Sequence, residues 1–166
     1  MALNATVGAA DANSYVTLAE ANTYFADRAH AEAWEDVDQQ PQALITASQA
    51  IDWYVTWKGQ RVTGTQSMDW PRVGVLDKVG VEYPSDVVPP DVKTATYEMA
   101  LASLEADRMA DSDLAGLSEV RAASLMIKTD DGLYNTKPDT IPDHIWKILD
   151  GLTTKSGIGV VRLVRA

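Results

Sequence analysis

Apolar side chains recur at helical spacing in four stretches of the chain, and polar or glycine-rich segments separate them. The first stretch opens at Thr17-Leu18-Ala19-Glu20. This is a capping-box pattern, in which Thr and Glu side chains answer the free amides of a helix start. Leu18, Ala21, Tyr24 and Phe25 then share one face. A second helix is predicted from Pro41 to Trp57, with proline suited to the first turn and Lys58-Gly59 as the stop. Its stripe is Leu44, Ala47, Ile51, Tyr54 and Val55, with Trp53 and Trp57 stacking four apart. A third helix opens at Pro89-Pro90-Asp91 and runs to about Ala110. Val92, Ala95, Thr96, Met99, Ser103 and Ala106 line one side, while Tyr97, Leu101 and Leu104 widen the arc. An apolar arc that wide predicts the central helix. A short helix after Pro142 carries Ile145, Trp146, Leu149 and Leu152 on one side.

Other patterns fill the gaps. Residues 1–16 are small and polar and read as an arm or an edge strand. Residues 60–90 hold three glycines and four prolines without a helical period, a long irregular loop of the kind usually ordered by function or by a partner. Glu119 to Lys128 reads as a strand, followed by a turn at Asp130-Asp131-Gly132. Ile158 to Val164 alternates as a closing β-type run, placed at 158–165. The expected fold is therefore mainly α: a small helical bundle at 17–166 with an N-terminal arm, a long loop and a few short strands.

Composition narrows the chemistry. At 166 residues the chain fits one domain. It has no cysteine, which removes disulfides and thiolate nucleophiles together. No apolar run is long enough to span a membrane, and the opening residues lack a signal-peptide pattern, so a cytoplasmic product is expected. The two histidines, His30 and His144, stand in no recognisable catalytic setting, and capping or packing roles suit them. Asp111-Ser112-Asp113 and Asp130-Asp131 lack metal-loop spacing. Gly59 and Gly64 have the first spacing of a phosphate loop, but Thr65-Gln66 replace its Lys-Ser/Thr. Gly157-Ile158-Gly159 lacks a third glycine. No catalytic residue, metal site or cofactor is expected, and the chain reads as a non-enzyme.

Charge adds a further constraint. Twenty-four acidic against 14 basic residues leave a formal charge of −10. Nucleic-acid affinity comes chiefly from Lys and Arg neutralising phosphates, so such a surface suits DNA passage better than DNA capture. Lys58, Arg61 and Arg72 are the basic cluster near Trp57 and Trp70, and stacking of single-stranded DNA there is an alternative. Trp53, Tyr54, Tyr97 and Trp146 are expected in the core. Trp70 is either a loop anchor in its own core or a contact to a neighbour.

The run from Ala12 to Phe25, ANSYVTLAEANTYF, resembles the opening of a family of small tailed-phage proteins. Further likenesses are Ala43 to Trp57 with Lys58-Gly59, then Trp70-Pro71-Arg72, then Gly80-Val81 with Pro84 and Val88-Pro89. The closing Val161-Arg162-Leu163-Val164-Arg165 fits the same layout. That family is known both as head–tail connector (adaptor) proteins and as DnaT-like single-stranded-DNA-binding phage proteins. The resemblance implies a structural subunit of the virion, made in the host cytoplasm and assembled as a ring of twelve on the portal. Such a ring extends the DNA channel, lets DNA through without specific binding, and docks the next connector or a tail protein. The candidate subunit or portal interface is then Trp70, Pro71, Arg72 and Tyr83 in the loop, with Arg162 and Arg165 at the end.

Overall fold

The computed structural model describes residues 2–36, 38–110, 119–122, 125–128 and 140–154. The expected C-terminal strand at 158–165, Arg162, Arg165, the acidic pairs at 111–113 and 130–131 and the glycines 157 and 159 lie outside them.

The described chain is mainly α. Helix α1 spans Leu18–Ala26, a 3-10 turn spans Glu32–Glu35, α2 spans Gln40–Tyr54, α3 spans Pro90–Glu105 and α4 spans Asp143–Leu149. The capping box at Thr17 forms as the sequence predicts: the Glu20 amide donates to the Thr17 hydroxyl at 3.2 Å, and the Thr17 amide to the Glu20 carboxylate at 2.8 Å. Helix α3 is the central element and packs on α2, α4 and the 3-10 turn. Its residues from Ala95 to Ala102 are all buried, as a helix covered on several sides requires.

Small residues set how closely the helices approach. Ala47, Ala50, Ala95 and Ala100 are fully buried beside Leu44, Ile51, Val92 and Met99. Ile145 and Leu149 close the core from α4, and Leu152 follows them. At the outer end, Phe25 stacks on Trp34 at 4.3 Å and Tyr24 on Tyr97 at 4.6 Å.

Four sequence expectations need correction. The expected arm or edge strand at 1–16 is, over its described residues 2–16, neither loose nor a strand, because these residues are tied to the domain. Asn13 fixes a turn by accepting from the Asn4 amide at 2.7 Å and donating to Ala2 O at 2.9 Å. Tyr15 and Val16 are buried, and the Tyr15 amide donates to Ser48 Oγ on α2 at 3.1 Å. Helix α2 stops at Tyr54, three residues short of Trp57, because Val55 turns extended. Tyr54, released at that end, is 45% exposed, and Trp53, on the face away from Ile51, is 69% exposed, so neither is in the core. Trp57 is buried instead, in a bridge to Thr153 beyond α4. Helix α3 ends at Glu105 rather than near Ala110. Finally, the single strand expected over 119–128 is two strands, β3 (Glu119–Ala122) paired antiparallel with β4 (Leu125–Lys128).

Candidate interaction surface

Between α2 and α3 the long irregular segment is ordered by side chains that bond backbone. Two short strands, β1 (Gln60–Arg61) and β2 (Arg72–Val73), pair antiparallel at its base. Inside the loop they close, buried Gln66 accepts from the Thr63 amide at 3.0 Å. It also donates to Met68 O at 2.9 Å and Pro71 O at 3.1 Å. One amide side chain thus replaces the ladder that so irregular a segment lacks. Gly59 sits at the hairpin's entry with φ +67°, where a Cβ would meet Val73 O at 2.2 Å.

The four described candidates converge on this base. Trp70 is 1% exposed, edge-to-face with Trp57 at 5.6 Å and with Tyr83 at 6.5 Å. It is an anchor in its own core, the first of its two sequence readings. Pro71, after a cis peptide bond, is buried beside it. The Arg72 guanidinium donates to Lys58 O and Gly59 O, both at 2.8 Å, and to Asp69 O at 3.2 Å. Tyr83 is half-buried, and its amide donates to Val75 O at 2.9 Å. These residues form the footing of a surface feature.

The feature itself is a projecting tip at 76–81. Leu76 bridges Glu82, and the Asp77 carboxylate accepts from the Val79 and Val81 amides at 2.9 and 2.8 Å. The Asp77 amide donates to Val81 O at 2.7 Å, and Gly80 turns the chain at φ +87°. So many short bonds fix the tip before any partner arrives. Beside Asp77 and Lys78 it holds three apolar side chains in water: Leu76 is 53% exposed, Val81 62% and Val79 83%. Sequence reading gave this stretch as part of the long irregular loop over 60–90, without its exposure. The available signal was a pair of valines flanking glycine outside any helical or strand period.

Behind the base lies a half-buried carboxylate. Asp52 on α2 accepts from the Tyr15 hydroxyl and from the Asp69 amide, the latter at 3.1 Å. Burial pushes Asp52 up to about 6, against the lowering effect of those two bonds. Tyr15 is raised well above its ordinary value by burial and by the Asp52 charge. Across the domain, Glu98 on α3 takes both arms of Arg28 at 2.7 and 2.8 Å and the Tyr24 hydroxyl at 2.6 Å. His144 Nε2 on α4 stands 3.6 Å from the same carboxylate. Burial would raise Glu98, but the Arg28 and Tyr24 bonds outweigh it and hold it below its usual range.

Positive charge near the tip is largely committed. Lys58 donates to Gly151 O at 2.7 Å, Arg61 stands 4.0 Å from Asp69, and Lys78 pairs with Asp91 at 3.4 Å. Among the described residues no cluster of three metal-ligating side chains occurs, and no helix is long and apolar enough to cross a membrane.

Fold and surface together define a mainly helical domain that carries a footed, preorganised apolar tip. Over residues 1–166 the chain matches the family described as "Putative DnaT-like ssDNA binding protein", and it belongs to that family. None of the curated proteins and none of the solved structures matches it.

Proposed function

We propose that the chain is a structural subunit of the tailed-phage head–tail connector, with no chemistry of its own. Copies assemble as a ring on the portal, extend the DNA channel and dock the tail side, as the resemblance of its sequence motifs implies. The observation that carries this reading is the rigid tip at Leu76, Val79 and Val81, apolar side chains held in water by a dedicated footing. Apolar groups fixed in that way fit a protein partner better than a polyanion. The −10 charge and the committed lysines and arginines agree, since a channel wall must let DNA slide. The test is electron microscopy of the purified chain, alone and mixed with portal. Rings on the portal are expected, and a chain that stays monomeric and ignores the portal would sink the reading.

The family description names a second reading, single-stranded-DNA binding, and one observation favours it. Trp53 and Tyr54 lie exposed side by side at the end of α2, where bases could stack for about 1–3 kcal/mol each. Fluorescence anisotropy with a labelled oligo-dT decides it. Binding that weakens with added salt and with Trp53→Ala supports this function; no binding at low salt removes it.

A further inference from the structure

Where α1 ends, its last turn, the 3-10 turn and the start of α2 enclose a cleft of about 420 Å³. Sites for small ligands span about 300–1,000 Å³, so the size is adequate. Phe25 and Trp34 form its apolar wall, which is held in place. Their rings stack, and Trp34 Nε1 donates to Asn22 Oδ1 at 2.9 Å. Buried Gln40 also lines the cleft, at 6% exposure, and its Nε2 donates to Trp34 O at 2.6 Å. A carbonyl only accepts, so the amide nitrogen must face Trp34 and the amide oxygen must turn away from it. Among the described residues nothing donates to that oxygen. A buried acceptor left so is costly unless a ligand donates to it.

Two carboxylates join that acceptor. A 3-10 turn has three residues per turn, so positions i and i+3 eclipse. Glu32 and Glu35 therefore stand on one face, and both are exposed and line the cleft. Among the described residues neither has an ion-pair partner. Arg28 at the edge is already spent: two of its nitrogens take Glu98, and the third donates to Ala29 O at 2.9 Å and His30 O at 2.8 Å. His30, also at the edge, adds charge only when protonated. We infer that the cleft binds the guanidinium of an arginine side chain presented by a protein partner. Gln40 is buried while the carboxylates are exposed, so the ligand must reach inward on a stem. A guanidinium carries five donors in a planar fork and serves acceptors set apart, whereas an ammonium is a point charge. The stem lies along Phe25 and Trp34, as long cationic side chains do on apolar surface. The same two carboxylates repel phosphate and nucleic acid. The inference is independent of the assembly reading, which concerns the tip.

The test titrates N-acetyl-arginine amide into the isotope-labelled full chain and follows the Gln40 side-chain amide and the Trp34 indole N–H by NMR. Both signals are expected to shift saturably. The lysine analogue should bind more weakly, and the neutral citrulline analogue should give no saturable shift. Glu32→Gln with Glu35→Gln, both at exposed positions, should weaken arginine binding about tenfold or more while the urea midpoint stays unchanged. No saturable shift, an equal response to citrulline, or unchanged affinity in the double variant would each overturn the inference. Lysine binding as tightly as arginine would overturn the assignment to a guanidinium. Spermidine binding more tightly than the capped arginine would overturn the protein source in favour of a free polyamine.

Discussion

Asp52 and Glu98 are two carboxylates withdrawn from water, and their surroundings push them in opposite directions. For Asp52 the folded pKa, about 6, lies above its unfolded value. Its stabilising share is therefore full at acid pH, below the unfolded value, and is lost as pH rises through about 6. Asp52→Asn removes the charge while its one oxygen can accept from the Asp69 amide and its NH2 can donate to the Tyr15 hydroxyl oxygen. The variant should gain on the order of 1–2 kcal/mol over wild type at pH 8 and lose that advantage near pH 4, read by urea denaturation. Glu98 has a lowered pKa, so its share is present at neutral pH and lost as pH falls through the folded value. Arg28→Ala leaves that buried carboxylate without its bidentate partner and should cost about 2–4 kcal/mol at pH 7. Neither role was legible in the sequence, because a buried carboxylate and a solvated one look alike until their partners are known. The misplacement of Trp53 and Tyr54 has a different cause. At 100° per residue Trp53 lies about 200° round from Ile51, and size alone suggested burial. Tyr54 fits the stripe, but the helix ends there and releases it.

Elements whose bonds run within the backbone were the readable ones. Thr17 with Glu20 announced α1, the alanine-rich arc announced α3, and Pro142 placed the start of α4. The segment between α2 and α3 hid its order because its bonds run from side chain to backbone, through Gln66, Asp77, Glu82 and Arg72. No periodicity records such bonds. Gly59→Ala should break the hairpin entry, since a left-handed φ and a 2.2 Å approach to Val73 O both oppose a side chain. A loss of about 2–3 kcal/mol is expected, with exchange protection falling first over residues 60–73. Gln66→Ala should act on the same unit by stranding the Thr63 amide and two carbonyls, at about 1–3 kcal/mol. If either variant left exchange in the hairpin unchanged, the footing assigned to these residues would be wrong.

For the whole molecule, the main surprise is that residues 12–16 are buried in the domain and residues 2–11 are tied to it. Removing residues 2–16 strips Tyr15 and Val16 from the interior and uncovers Ser48 and Asp52. Such a truncation should lose about 4 kcal/mol or more, seen as a large fall in the urea midpoint. A free arm would be dispensable to the monomer and needed only for assembly.

That stitched start has a consequence for synthesis. Tyr15 leaves the ribosome well before Ser48 and Asp52, and the carbonyls of Ala9 and Ala12 wait for Ser67. Arg28 in turn waits for Glu98. Translation runs at about 5–20 residues per second, so Tyr15 and Val16 spend seconds without their native cover. The nascent chain therefore completes its fold late, once α3 has emerged, and folding is governed by closures distant in sequence.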